Sequence, residues 1–305
     1  MFMRIILVTL FLSSLTLSAA DLESHFDNLS DGQWLVWDVA IDPDSGWHCW
    51  GHRYNKPTSN TSRTLMLYLS QDDFNMATDN CDVELNDPIK RIANVSARES
   101  AQFIVKQLQQ HPALADNDKL LHALALHRDP LAFSGLKAFF NDHASDKQQE
   151  LINLFMTSYW EKDGFNFVAD QLTDGLSFSR EKTLIFALSQ SPVAEAQALV
   201  YQRARHGASR KIRKEAIFWY SQFKSAGIAD QLVELLATEK DQGLLEHIVF
   251  AIAQVKDGEG LDNLMRLIRT SKNDKVRQQA LFWLAHSDEE RAMPILEELL
   301  LGKGD

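Results

Sequence analysis

Ala216-Ile217-Phe218-Trp219-Tyr220-Ser221-Gln222 is the stretch that decides the fold. It recurs 32 residues upstream as Leu184–Gln190 (LIFALSQ), 32 residues downstream as Ile248–Gln254 (IVFAIAQ) and again as Ala280–His286 (ALFWLAH). Phe186, Phe218, Phe250 and Phe282 hold the same place in each copy, and a polar Gln or His follows four residues later. Two further registers keep the period. Ser177, Ser209, Asp241 and Asn273 are all helix-capping types, and a leucine stripe repeats as Leu232, Leu264 and Leu296, then Leu235, Leu267 and Leu299. Three independent registers of one length mark an internal repeat.

Each unit reads as two short amphipathic helices. The first runs from the cap to the Gln, and a turn such as Asp257-Gly258-Glu259-Gly260 leads into the second, which carries the leucines. One such hairpin cannot enclose its apolar face alone, so neighbouring units must stack into a continuous core. The phenylalanines are expected to be packing residues, and truncation of Phe250 to cost about 3–5 kcal/mol. Weaker copies lie upstream at Leu120–Leu126 with Pro130–Phe140 and at Glu150–Tyr159 with Phe165–Leu172, giving six pairs over 117–301, with the period clearest at 177–301. A helix over 97–110, opened by the capping box Ser96-Ala97-Arg98-Glu99, closes the N-terminal end, and Pro294–Leu301 the other.

Ile212–Trp219 and Val276–Ala285 resemble the first helix of the short bacterial HEAT repeat. That resemblance implies a mostly α chain, a right-handed α-solenoid of helical hairpins over 96–305, serving as an interaction scaffold. In stacked hairpins of this kind the second helices line the concave side, which would turn Arg203, Glu234, Arg266 and Arg269 outward into the curve. The Trp-rich N-terminal part is similar to that of exported bacterial HEAT proteins.

Residues 1–20 read as a secretory signal peptide: Arg4 supplies the charge, Ile5–Leu17 the apolar core and Ser18-Ala19-Ala20 the small residues for cleavage. The chain is therefore expected to be periplasmic or secreted. Residues 21–95 hold Trp34, Trp37, Trp47 and Trp50, with strands expected at Gln33–Ala40, Trp47–Trp50, Arg63–Ser70 and Cys81–Leu85. Cys49 and Cys81 are the only cysteines, and in an exported chain two cysteines are expected to pair, closing a small β-rich module. His48 and His52 beside Cys49 leave a metal reading open. Trp47, His48 and Trp50 are a possible ligand or partner surface as well as candidate core.

The net charge of −11 disfavours nucleic acid. Thirteen Gly and seven Pro in 305 residues suit helices better than turn-rich β folds. No P-loop, dinucleotide fingerprint, G-x-S-x-G or H-E-x-x-H is present. The chain has no His-Glu dipeptide, on which the di-iron hydroxylases of similar fold depend. No catalytic group, metal or cofactor is expected, and His111, His122 and His127 read as surface or core-edge residues. One basic cluster, Arg203, Arg205, Arg210, Lys211, Arg213 and Lys214, reads either as cations favouring a helix C-terminus or, with Arg266 and Arg269, as a docking surface for an acidic partner or anionic lipid head groups. The expected function is a non-enzymatic scaffold for other envelope proteins, with membrane contact at most peripheral. The alternative is a sensor module that binds a small ligand through its tryptophans.

Overall fold

The computed structural model describes residues 19–42, 63–79, 81, 87–111, 118–256, 258–287 and 292–301. It divides into two compact units, Met1–Gln148 and Gln149–Asp305.

The first unit holds a four-stranded sheet of order β3-β2-β1-β4. The strands are β1 Trp34–Ala40, β2 Thr64–Leu69, β3 Phe74–Thr78 and β4 Ile89–Arg91. β1 pairs antiparallel with β2, with Trp37 opposite Leu67, and parallel with β4. β1 and β2 are the strands expected from their aromatic and aliphatic runs. Trp47–Trp50, Cys49, His48, His52 and residues 82–86 lie outside the described residues, and Cys81 itself sits in a bend after β3, buried and 3.3 Å from the Thr78 hydroxyl.

The helices of this unit are α1 Ala19–Asp27, α2 Ala97–Gln110, α3 Asp118–Leu126 and α4 Pro130–Asp142. Only Ala19 and Ala20 of α1 fall within the expected signal peptide, and the rest lies where a β-rich module was expected. Its Leu22 and Phe26, four residues apart and each 1% exposed, form one apolar face. The Phe26 ring meets Phe103 of α2 edge to face, 5.9 Å away, and Phe103 meets Trp37 of β1 at 5.6 Å. Sheet and helices therefore share a core, and residue 95 marks a change of element type rather than an edge of packing. Trp37 is 0% exposed and belongs to that core. The Ser96–Glu99 capping box forms as expected.

The chain continues through α5 Asp146–Tyr159, in which the division falls, α6 Glu161–Ala169, α7 Phe178–Ser189, α8 Ala194–His206, α9 Arg210–Ser221, α10 Ile228–Thr238, α11 Gln242–Gln254, α12 Glu259–Thr270, α13 Asp274–Ala285 and α14 Ala292–Leu301. The second unit is a run of helical hairpins, α7–α8 through α13–α14. All four expected caps accept a backbone N–H: Ser177 from Arg180, Ser209 from Ile212, Asp241 from Leu244, and Asn273 from Lys275 and Val276. The second helices α10 and α12 instead begin at Gly227 and Gly258, whose φ of 83° and 79° is a left-handed turn that glycine adopts without strain. Glu259 accepts the Gly227 N–H at 3.0 Å, so each of these turns is tied to its neighbour. The leucine stripe is enclosed as expected: Leu232 is 0% and Leu264 2% exposed.

Candidate functional site

The first helices α7, α9, α11 and α13 pack in series. This arranges the repeated phenylalanines in one row. Phe186, Phe218 and Phe250 are half-buried and Phe282 is exposed, so they are not the core residues expected. The enclosed positions lie one residue earlier, at Ile185, Ile217 and Val249. A helix turns about 100° per residue, so these aliphatic side chains take the interior and the phenylalanines fall into the grooves between helices. There, the ring of one unit meets a ring of the next. Phe186 lies 4.7 Å from Trp219, Phe218 stacks on Phe250 at 6.3 Å with planes 6° apart, and Phe250 lies 5.0 Å from Trp283. Aromatic pairs of this kind contribute about 0.5–1.5 kcal/mol beyond burial. Truncating Phe250 therefore removes a tie with one open edge, and costs less than the 3–5 kcal/mol typical of an enclosed aromatic.

Beside this ladder, the turns inside the hairpins leave two open crevices. One, of about 710 Å³, lies between Ser189–Ala194 and Gln222–Ser225, with Trp219 as its aromatic wall. The other, of about 350 Å³, lies between Ser221–Ala226 and the group Val255, Lys256 and Glu259. Gln190 and Gln222 hold their amides in equivalent poses, each donating to the preceding serine hydroxyl, Ser189 and Ser221. No histidine, cysteine or carboxylate pair lines either crevice.

Several members of the basic cluster are engaged in internal ties. Arg203, with a side chain only 19% exposed, donates to the Leu172 carbonyl at 2.8 Å and lies 3.6 Å from Glu181. Burial raises the Glu181 carboxyl above its ordinary value, against the pull of Arg203. Arg210 pairs with Asp241, Arg213 with Glu239, and Arg266 with Asp230 at 2.9 Å. The helix-C-terminus reading fails for four of its six members. Arg210, Lys211, Arg213 and Lys214 begin α9, at the positive end of its dipole, and Glu239 and Asp241 from the following unit offset that charge. Arg205 sits over the Tyr201 ring and Lys211 over Phe178, which is 40% exposed. Arg269 is exposed on the last turn of α12. Among the described residues, Lys182, Lys211 and Lys214 have no carboxylate partner, and all three lie on the same helices as the ladder.

A family model of HEAT repeats matches residues 198–281 and, in a second placement, 229–305. The match covers about a third of the chain, and over residues 198–305 the sequence is similar to HEAT repeats. No curated protein matches the chain. HEAT repeats are generally protein-interaction scaffolds, and proteins built on them are typically non-enzymatic. The match begins inside α8, so the hairpin α7–α8 and its ring contacts extend the same pattern on structural grounds alone.

Outside the matched HEAT repeats the structure holds a serine–histidine pair that sequence reasoning missed. The His127 Nδ1 lies 2.7 Å from the Ala123 carbonyl, which can only accept, so Nδ1 carries the proton. Nε2 then accepts from the Ser100 hydroxyl at 2.8 Å, and Ser100 accepts in turn from the Trp37 indole at 2.7 Å. All three side chains are 0% exposed, which corrects the reading of His127 as a surface or core-edge residue. No described crevice reaches Ser100, and its oxygen is already engaged on both sides. The trio ties β1, α2 and α3 together as a buried polar network. Burial holds the imidazole neutral and pulls its pKa down to about 4, with the Ala123 carbonyl and the Asp129 charge opposing in part.

Among the described residues no group of three His, Cys, Asp or Glu is placed to hold a metal ion, and no helix is long and apolar enough to cross a membrane.

Proposed function

We propose that the protein is an exported bacterial scaffold, without catalytic activity, whose HEAT repeats dock another envelope protein along the aromatic ladder. The observation that carries this reading is the ladder's surroundings: half-open rings at Phe186, Phe218, Trp219 and Phe250 run beside Lys182, Lys211 and Lys214, cations with no internal carboxylate. Aromatic anchors with a charged rim are the usual make-up of a protein-binding surface. The partner segment is acidic and apolar. Residues 1–20 act as the leader, the mature protein is periplasmic or secreted, and Cys49 and Cys81 close the N-terminal β module as a disulfide. Arg205 and Arg269 extend the surface.

A photo-crosslinking residue at Gln190 should capture one discrete envelope protein, and Trp219→Ala should abolish the capture without unfolding the chain. The triple reversal Lys182→Glu, Lys211→Glu and Lys214→Glu should slow association several-fold, most strongly at low salt. Arg210 is left out because a carboxylate there would face Asp241. Full association of both variants at low salt would sink the docking surface. The intact mass of the envelope form checks the address: it should lack residues 1–20 and be two hydrogens lighter than its reduced form.

A further inference from the structure

The two crevices share one wall, the turn at 222–225, so a chain that crosses one enters the other. Their rims repeat. The Ser189 and Ser221 hydroxyls donate to the carbonyls of Phe186 and Phe218, each at 2.7 Å, and each accepts one N–H of the glutamine that follows. Gln190 and Gln222 are exposed, and the second N–H and the oxygen of each amide have no partner among the described residues. Two alike hydrogen-bonding groups are thus held in place one repeat apart. Deeper in the larger crevice the polar groups are spent on one another: Gln197 accepts the Ser225 hydroxyl at 2.7 Å and donates to the Tyr220 hydroxyl. Trp219 and Phe223 supply its ring walls. Lys224 is exposed on the shared wall, and Lys256 stands 32 residues on in the smaller crevice; neither has a carboxylate partner among the described residues.

We propose, resting on the docking reading above, that these crevices take a proline-rich, acidic segment of the docking partner in the polyproline II conformation. Spacing decides the conformation. Packed helices stand about 8–10 Å apart, and α7, α9 and α11 pack one after another. A polyproline II chain rises about 3.1 Å per residue with three residues per turn, so residues i and i+3 share a face about 9.3 Å apart. One triplet therefore spans one repeat. A β-strand returns to the same face at every second residue, after about 6.8 Å, and falls out of step with the rims.

The chemistry of the rims agrees. A polyproline II segment has no internal hydrogen bonds and shows every carbonyl, and the spare amide N–H groups of Gln190 and Gln222 are donors for them. Its backbone is already set, so it gives up little entropy on entering an open crevice, and its rings pack on aromatic walls. Charge selects the acidic member. The larger crevice is lined by a lysine and no carboxylate, and in the smaller one Glu259 is held by the Gly227 N–H. A glutamate at every third place meets Lys224 and then Lys256.

Fluorescence anisotropy of an end-labelled peptide of three Glu-Pro-Pro triplets, titrated with the whole purified protein, tests it. The dissociation constant should be on the order of 10–100 μM, as suits a small open site. A peptide of Glu-Gly-Gly triplets, with the same charge and a loose backbone, should bind about 10-fold more weakly, and Lys-Pro-Pro triplets should not bind. Lys224→Glu, on an exposed turn, should leave helicity and melting temperature unchanged and weaken Glu-Pro-Pro binding about 10-fold, most at low salt. Gln190→Ala with Gln222→Ala should weaken it several-fold at any salt. No binding at about 1 mM protein, equal binding of the Glu-Gly-Gly peptide, or indifference to these variants overturns the proposal. Capture of an envelope protein at Gln190 that the Glu-Pro-Pro peptide cannot compete away also overturns it, and leaves the ladder as the docking surface. Peptide binding lost with Lys224→Glu, in a chain that captures no envelope protein, removes the ladder reading and supports the ligand class of the crevices.

Discussion

Arg213→Ala should destabilise the second unit by about 1–3 kcal/mol, the cost of taking the charged partner from a largely enclosed carboxylate. Glu239 is that charge: its side chain is 8% exposed and that of Arg213 20%. The carboxylate also accepts the N–H groups of Lys240 and Asp241, each at 2.7 Å, so it is locked in place and cannot swing out to water. Arg213 meanwhile donates its Nε to the Ala204 carbonyl at 2.9 Å. One guanidinium thus joins the end of α8 to the turn between α10 and α11. Burial works against the Glu239 charge, but the two N–H groups and Arg213 outweigh it and hold the carboxyl below its usual value. A lowered folded value means that the contribution is intact above the ordinary carboxyl pKa of 4.5 and fades as pH falls below it. Urea denaturation at pH 7 should show the full loss. The double variant Arg213→Ala with Glu239→Gln should recover part of it, because no buried charge is then stranded. A loss under 1 kcal/mol for the single variant, or strict additivity in the double, would show that the pair acts as an ordinary surface contact.

The same pair shows what the sequence could and could not reveal. The hairpins were legible because a 32-residue period repeats caps, leucines and aromatics in step. The ties between hairpins were not recognised, although their signal is present. Arg210 and Asp241 are 31 residues apart, Lys162 and Glu195 33, and Arg266 and Asp230 36. In a stacked repeat, a cation and an anion about one period apart are candidate neighbours, and that test pairs two arginines of the expected docking patch, Arg210 and Arg266. The phenylalanine row was misplaced for a different reason. Conserved spacing shows that a position is structurally equivalent in every unit, but not whether it faces the interior or the groove. β4 is three residues long, Ile89-Lys90-Arg91, and its parallel pairing with β1 has no local signature. Ser100 and His127 defeat local reading altogether, since their third member, Trp37, stands 63 residues from Ser100 and on a different kind of element.

That network supplies the second large effect. Between pH 6.5 and pH 4 the first unit should lose roughly 3 kcal/mol of stability through His127 alone. The unfolded chain takes up a proton near the ordinary imidazole pKa of 6.5, whereas the folded chain keeps His127 neutral down to about 4. Over that window the unfolded state binds one more proton, so stability falls as pH falls, at about 1.4 kcal/mol per pH unit. Above pH 6.5 the term is flat. Protonation in place has no good outcome: Nε2 would become a donor facing the Ser100 hydroxyl, which would have to turn away, and the cation would have no water around it. Asp129 lowers that penalty only partly. The comparison that isolates the effect is wild type against His127→Gln, unfolded by urea at several pH values. The advantage of the wild type should be largest at pH 7 and shrink by roughly 3 kcal/mol by pH 4. Proton NMR gives an independent reading, since the C2 resonance of His127 should not titrate until near pH 4. Ser100→Ala should cost stability at pH 7 as well, about 1–3 kcal/mol for each buried partner left without a bond, here the Trp37 indole and the His127 ring. A wild-type advantage that does not change with pH, or a His127 resonance that titrates near 6.5, would mean that water reaches the ring and that the trio is not the closed network described.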